Sequence, residues 1–313
     1  MKPILYAIRA LPGGRLDRLS RLFDVRGGGV HPAPREALLA EARDAVVLVP
    51  TYIDRVDEPL LAALPRLRHV ASYGVGTNHL DLDACRRRGL LVTNTPDVVT
   101  DATADHALAL LLAAARRVAE GDRVVRRGGW QAVDPAFMLG TEVTGKTLGV
   151  VGFGRIGQAV ARRALGFGMR VLYTSPREPD FAGARRVPLD ALLAGSDFVS
   201  LHTPLVPGTE NLLSRERIAR LKPGAIVVNT ARGAVVDDDA LADALESGQV
   251  AAAGLDVFRD EPRVPARYLR LENVVLTPHL GSGTRETRAA MAEMVAAEVE
   301  RVAEGKPPRH AVP

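Results

Sequence analysis

The segment Thr147-Leu-Gly-Val-Val-Gly-Phe-Gly-Arg-Ile-Gly157 constrains the fold more than any other part of this 313-residue chain. Thr147–Val151 has the composition of a β-strand, Gly152, Gly154 and Gly157 follow at fixed spacing, and Gln158–Leu165 runs on as a helix. Gly152 permits a tight turn, Gly154 lets a pyrophosphate approach the backbone, and Gly157 lets the helix pack closely on the strand. The helix N-terminus then presents N–H groups and a positive dipole end to phosphate, with Arg155 and Ile156 inside the same cofactor-binding loop. A glycine-rich turn without ligand is the plainer alternative, and the strand–turn–helix context argues against it.

Around this loop, short apolar runs alternate with Ala/Leu-rich helical stretches, as in parallel α/β sheets. Expected strands in the first part are Ile4–Ile8, Ala45–Val49, His69–Ser72 and Leu90–Thr93, with helices at Arg35–Ala42 and Pro59–Leu64. Thr100 and Asp101 are expected to cap one long helix, Ala102–Glu120, stopped by Gly121. An irregular stretch, Gly128–Gly145, holds Trp130. The second strand series is Thr147–Gly152, Arg170–Tyr173, Phe198–His202, Ala225–Thr230, Ala251–Val257 and Asn273–Thr277, and a late amphipathic helix covers Thr284–Glu304. The whole reads as two α/β domains with a discontinuous boundary.

Bulk composition narrows the classes. A chain of this length exceeds one ordinary core, and 47% hydrophobic with 25% charged residues is that of a globular protein. No apolar run is long enough to span a membrane. The single cysteine, Cys85, allows no internal disulfide and suits a cytoplasmic setting. Net charge is only +4, and the densest basic cluster, Arg86-Arg87-Arg88, lacks the interleaved aromatic residues of a strand-binding platform. It reads as a solvated helix end, and nucleic acid is not expected as a partner. No CxxC, HExxH or acidic cluster calls for a metal.

The second strand after the loop ends at Tyr173-Thr174-Ser175-Pro176-Arg177. An NAD-selective site places an acid here to accept from the ribose 2′-hydroxyl. Ser175 stands there instead, 18 positions beyond Gly157. A carboxylate would repel a 2′-phosphate, whereas Ser175 can donate to one and Arg177 can neutralise it. The expectation is NADP(H) preferred, with NAD(H) also possible if Arg177 merely points into solvent.

Further segments, in order along the chain, complete a pattern: Ser72-Tyr-Gly-Val-Gly-Thr-Asn-His-Leu-Asp81, Asn94-Thr-Pro-Asp97, His202-Thr-Pro204, Asn229-Thr-Ala-Arg-Gly233, Gly254-Leu-Asp-Val-Phe-Arg-Asp-Glu-Pro262 and Thr277-Pro-His-Leu-Gly-Ser-Gly283. With the glycine loop they resemble the D-isomer-specific 2-hydroxyacid dehydrogenase family over nearly the whole chain. Leu271–Arg288 and Gly128-Gly129-Trp130 are especially similar to its glyoxylate/hydroxypyruvate reductase and hydroxyphenylpyruvate reductase branch. The resemblance implies a Rossmann doubly wound parallel sheet for the cofactor, residues 101–282, plus a smaller flavodoxin-like α/β substrate domain, residues 1–100 and 283–313. It further implies a cleft that closes around the reactants, a homodimer, and reduction of a small 2-keto acid to the D-2-hydroxy acid.

The residue types fit that chemistry. A 2-keto acid needs a cation for its carboxylate, a proton for the developing alkoxide, and a hydride donor. Arg232 lies just past a strand end, where open α/β sheets place ligand loops, and a guanidinium can hold the carboxylate and polarise the carbonyl. His279, after Pro278, is the natural proton donor near neutral pH. Glu261 would pair with it and hold the imidazolium ready, completing the catalytic triad Arg232, Glu261 and His279 that the family pattern implies. The resemblance adds Val75 and Gly76 as substrate-binding backbone, Asp256 as acceptor from the nicotinamide amide, and Thr203, Thr230, Ala231 and Thr100 along the cofactor cleft. Tyr52 borders the pocket or only packs. Trp130 caps a partner's pocket or is interface core, His202 touches the cofactor loop or packs, and His106 has a helix-face or interface role. Two other readings stay open: a non-catalytic dinucleotide-sensing corepressor-like regulator, and a formate/phosphite-type dehydrogenase. Which 2-keto acid is the substrate is not legible.

Overall fold

A computed structural model describes all 313 residues. The chain divides into two compact units, Met1–Val99 with Gly283–Pro313, and Thr100–Ser282.

The first unit is a five-stranded parallel sheet of β1 (Ile4–Ala7), β2 (Asp24–Gly27), β3 (Ala45–Val49), β4 (His69–Ala71) and β5 (Leu91–Thr93), ordered β2-β1-β3-β4-β5. This is the flavodoxin-like order of a doubly wound fold. Helices α1 (Arg35–Glu41), α2 (Glu58–Ala63) and α3 (Leu82–Arg87) connect the strands. Asp57 and Asp81 start α2 and α3 by accepting from the N–H groups of Leu60 and Ala84. Leu48, Leu60, Leu61, Leu64 and Val70 fill the core between sheet and helices. The basic cluster ends α3, where Arg86 and Arg87 pair with Asp83 and Glu58. Strand β2 was not expected: Asp24-Val-Arg-Gly is polar, partly exposed, and pairs only with β1, so no apolar run marks it.

The second unit opens with α4 (Thr100–Ala115) and α5 (Val118–Arg126). These correct the expectation of one helix, Ala102–Glu120. Arg117 adopts φ +52°, and the Ala115 carbonyl accepts from Thr141 N–H at 2.7 Å instead of from the next helical turn. The ladder therefore breaks at Arg116–Arg117. Gly121 does not stop a helix; its N–H bonds to the Arg117 carbonyl inside α5, which runs on to Arg126. Thr100 is itself the first helical residue rather than a cap.

The sheet of this unit has seven parallel strands: β6 (Thr147–Val151), β7 (Arg170–Thr174), β8 (Ala184–Arg186), β9 (Phe198–Leu201), β10 (Ala225–Asn229), β11 (Val250–Leu255) and β12 (Val274–Leu276). Their order is β12-β11-β10-β9-β6-β7-β8. The order reverses between β6 and β9, which is the switch point of a Rossmann sheet. Helices α6 (Arg155–Gly166), α7 (Leu189–Gly195), α8 (Arg215–Ile218) and α9 (Asp238–Ser247) join the strands. The central strands are mainly apolar because both faces are covered: in β10, Ala225 and Val227 enter one core while Ile226 and Val228 enter the other. Strand β8 escaped the sequence reading for the same reason as β2, being a short edge with two exposed arginines.

The last helix, α10 (Arg285–Ala303), returns the chain to the first unit. Thr284 caps it by accepting from Thr287 N–H, and Met291, Ala292, Val295, Ala296 and Val299 are its buried face. No helix is long and apolar enough to cross a membrane.

Candidate active site

The glycine loop sits at the switch point of the second sheet. Gly152 has φ +90°, and a Cβ there would lie 2.6 Å from the His202 carbonyl oxygen. A Cβ on Gly157 would lie 2.2 Å from the Gly152 carbonyl oxygen, so no larger residue lets α6 approach β6 this closely. Around Gly154 there is open space, and no side chain caps the start of α6. The first N–H groups of a twelve-residue helix are thus uncapped by any side chain, with open space at Gly154, as a pyrophosphate requires. At the end of β10, Thr230 Oγ1 is buried without a partner; Ala231 beside it is buried, while Thr203 and Thr100 are half-buried. These residues fit a dinucleotide.

Beyond β7, Arg177 is exposed and its N–H donates to Ser175 Oγ at 3.3 Å. Arg186 donates to the Ser175 carbonyl at 2.9 Å and pairs with Glu178. The sequence reading missed Arg186, because only the pairing of β8 with β7 brings it beside Ser175.

Three loops at strand ends converge in the same unit. Asn229 closes the loop after β10: its amide donates to the Arg232 carbonyl at 3.0 Å and its carbonyl oxygen accepts from Ala231 N–H at 3.0 Å. Half-buried Arg232 follows, and its Nη1 donates to the Ala231 carbonyl. A Cβ on Gly233 would lie 2.0 Å from the Phe258 carbonyl carbon, so this loop packs directly on the segment after β11. There, Glu261 Oε1 accepts from Phe258 N–H at 2.9 Å, and Glu261 Oε2 lies 2.7 Å from His279 Nδ1. Both side chains of that pair are only 21% exposed, so solvent screens it weakly.

His279 adopts φ +55°, a conformation rare for a residue with a side chain. Asp256, 1% exposed, holds it there. Its backbone carbonyl accepts from His279 N–H at 2.9 Å. Its carboxylate accepts from Thr277 Oγ1 and Leu280 N–H at 2.6 Å, from Gly281 N–H at 2.7 Å, and faces His106 Nε2 at 3.2 Å. Burial alone would raise this carboxyl, but the bonds from His106, Thr277 and Leu280 outweigh it and hold it below the ordinary carboxylate range. Both carboxylate oxygens are thus engaged in fixing the His279 loop. His106, for which the sequence suggested a helix-face or interface role, is part of that clamp. His202 bonds Ser200 Oγ at 2.7 Å, and burial pushes its imidazole down to about 4.

The first unit carries Tyr52, Val75 and Gly76. Val75 is 38% exposed, and its carbonyl accepts from Asn94 Nδ2 at 2.9 Å. Tyr52 follows β3, and a Cβ on Gly74 would come within 2.8 Å of Tyr52 Cβ. Tyr52 also bonds Arg288 of α10, a residue the sequence reading did not single out. No group of three or more His, Cys, Asp or Glu side chains is arranged to hold a metal.

Strand order, switch point and glycine loop together define a dinucleotide-binding α/β protein. Residues 108–281 match the family model described as "D-isomer specific 2-hydroxyacid dehydrogenase, NAD binding domain". The chain is 49% identical to the glyoxylate reductase of Pyrococcus furiosus over 305 residues, 95% of this chain and 91% of that protein. Among solved structures, the TT0316 protein of Thermus thermophilus superposes with a TM-score of 0.94 at 47% identity, covering 99% of this chain and all of that one. The NADPH-dependent glyoxylate/hydroxypyruvate reductase of Sinorhizobium meliloti, in complex with NADP and malonate, gives 0.90 at 31% identity, covering 100% and 97%. The chain belongs to the D-isomer-specific 2-hydroxyacid dehydrogenase family. It is accordingly a dehydrogenase that takes a nicotinamide dinucleotide.

Proposed function

We propose that the enzyme reduces small 2-keto acids of the glyoxylate/hydroxypyruvate type to D-2-hydroxy acids, prefers NADP(H), and uses His279 as proton donor. The 2.7 Å pairing of His279 Nδ1 with Glu261 carries this reading, because it commits one ring nitrogen to the carboxylate and makes Nε2 the nitrogen that serves the substrate. The bound cofactor supplies the hydride. Arg232 holds the substrate carboxylate and polarises the adjacent carbonyl, and Val75 and Gly76 N–H groups receive the same carboxylate. His279 Nε2 passes its proton to the carbonyl oxygen as negative charge develops there. Glu261 keeps the imidazole oriented, and Asp256 keeps its loop in place.

Met1–Val99 with Gly283–Pro313 serves as the substrate domain and Thr100–Ser282 as the cofactor domain. Thr203, Thr230, Ala231 and Thr100 line the cofactor. NADP(H) preference rests on Ser175 at the ribose position with Arg177 and Arg186 beside it. Homodimer formation is supported by exposed Val118, Val125, Trp130, Val133, Phe137 and Leu139, which cluster along α5 and the stretch after it. A cytoplasmic location fits the single, buried Cys85.

The decisive assay is a panel of 2-keto acids with NADPH and NADH. The expected result is turnover of glyoxylate and hydroxypyruvate with higher kcat/KM for NADPH. A clear NADH preference would overturn the cofactor assignment, and no turnover of any 2-keto acid would overturn the function.

A further inference from the structure

Helix α10 places one more cation among the candidate substrate loops of the first unit. Arg288 Nη2 donates to Tyr52 Oη at 2.9 Å, and its guanidinium stands over the Tyr52 ring, 5.0 Å from the centroid. The Arg288 backbone carbonyl accepts from Tyr73 Oη at 3.0 Å, which fixes this turn of α10 against the segment after β4. Most arginines of the chain are paired with a carboxylate, as Arg9 is with Asp54 and Arg18 with Glu293. Arg288 is half-buried, and its guanidinium bonds and stacks on Tyr52 rather than on a carboxylate.

Tyr52 is itself fixed. Asp54 Oδ2 accepts from both the N–H and the Oγ1 of Thr51, and Thr51 bridges to Tyr73. The Tyr52 side chain stands against Gly74, one residue before Val75 and Gly76. A guanidinium has five donors, and one is spent on Tyr52. The remainder form a preorganised, partly desolvated cation beside the loop that receives the substrate carboxylate, where a bond to an acceptor oxygen is strong.

We infer that Arg288, held by Tyr52, selects substrates by binding an oxygen substituent, hydroxyl or carboxylate, on carbon 3 of the 2-keto acid. The inference rests on the function proposed above. It is tested by kcat and KM for pyruvate, hydroxypyruvate and oxaloacetate with wild type, Arg288→Met, Arg288→Lys and Tyr52→Phe, each checked for folding by circular dichroism and Tm.

Arg288→Met should lose about tenfold more kcat/KM on hydroxypyruvate and oxaloacetate than on pyruvate, mainly through KM, as for a lost bond to a charged donor. Arg288→Lys should recover part of the oxaloacetate loss, and Tyr52→Phe should show a smaller loss of the same kind. Equal losses on all three acids would mean that Arg288 only ties α10 to the sheet, and would overturn the inference. Wild type inactive on every 2-keto acid would overturn the function alone. Thermal stabilisation by D-glycerate and D-malate in excess of D-lactate, absent from Arg288→Met, would then still support Arg288, and its absence from wild type would overturn it.

Discussion

Both sheets reverse their strand order beside their first strand, between β1 and β3 in one unit and between β6 and β9 in the other. Such reversals open a crevice at the carboxyl ends of the strands. In the second unit the first strand runs into a glycine loop and a twelve-residue helix. In the first unit β1 runs into Arg9, which is paired with Asp54 at 2.8 Å, and then into short 3₁₀ turns at Pro12–Gly14 and Asp17–Arg21. In the first unit an ion pair therefore follows the first strand, where the second unit has a glycine loop and a long helix. The first unit's candidate ligand groups, Tyr52, Val75 and Gly76, follow β3 and β4 instead. Related topologies thus supply the same opportunity, and the few residues after the first strand decide which of them takes a phosphate.

The largest effect should come from His279→Ala, which separates chemistry from cofactor binding within the second unit. Loss of the proposed proton donor is expected to cut kcat by about 10²–10⁴-fold while cofactor affinity, measured by fluorescence titration, stays near wild type. Next is Gly157→Ala, whose Cβ would collide with the Gly152 carbonyl. Cofactor Kd should rise on the order of 100-fold as the loop is displaced. Gly74→Ala in the first unit crowds Tyr52, whose Cβ would lie 2.8 Å away, so it should raise KM for the keto acid and leave cofactor Kd alone. Matching effects of the two glycine variants on cofactor binding would break the comparison.

Asp54→Asn would leave Arg9 without its charge partner and weaken the anchoring of Thr51. We expect a stability loss of about 3 kcal/mol in urea denaturation, again without a change in cofactor Kd. The smallest effect concerns acid. Burial pushes His69, in β4, from the ordinary 6.5 down to about 4. Below pH 6.5 the unfolded chain takes up a proton that the folded chain refuses, so stability falls as pH drops toward 4 and this loss then levels off. By pH 5 it amounts to roughly 2 kcal/mol. His202 in the second unit is lowered in the same direction, so acid weakens both units. His69→Gln should remove the share of the first unit, seen as reduced acid sensitivity of hydrogen exchange in β4 but not in β9.

The expected strands of both sheets formed because parallel strands covered on both faces are continuous apolar runs, readable one at a time. The edge strands β2 and β8 carry no such run. Asp24–Gly27 and Ala184–Arg186 are strands only because β1 and β7 lie beside them. The break at Arg117 was hidden for a related reason: it depends on Thr141, far along the chain, taking the Ala115 carbonyl.

By itself the sequence determined the two-unit α/β architecture and the dinucleotide loop, since each is written in contiguous residues whose spacing is local geometry, and the residues of a keto-acid reductase followed from the family resemblance. Only the tertiary structure decided that Asp256 and His106 clamp the His279 loop, that Arg186 joins Ser175, and that Arg288 stacks on Tyr52. Those partners lie 11 to 236 positions apart in sequence. Spacing along the chain carries no information about such pairs until packing of the sheets and helices brings them within hydrogen-bond reach.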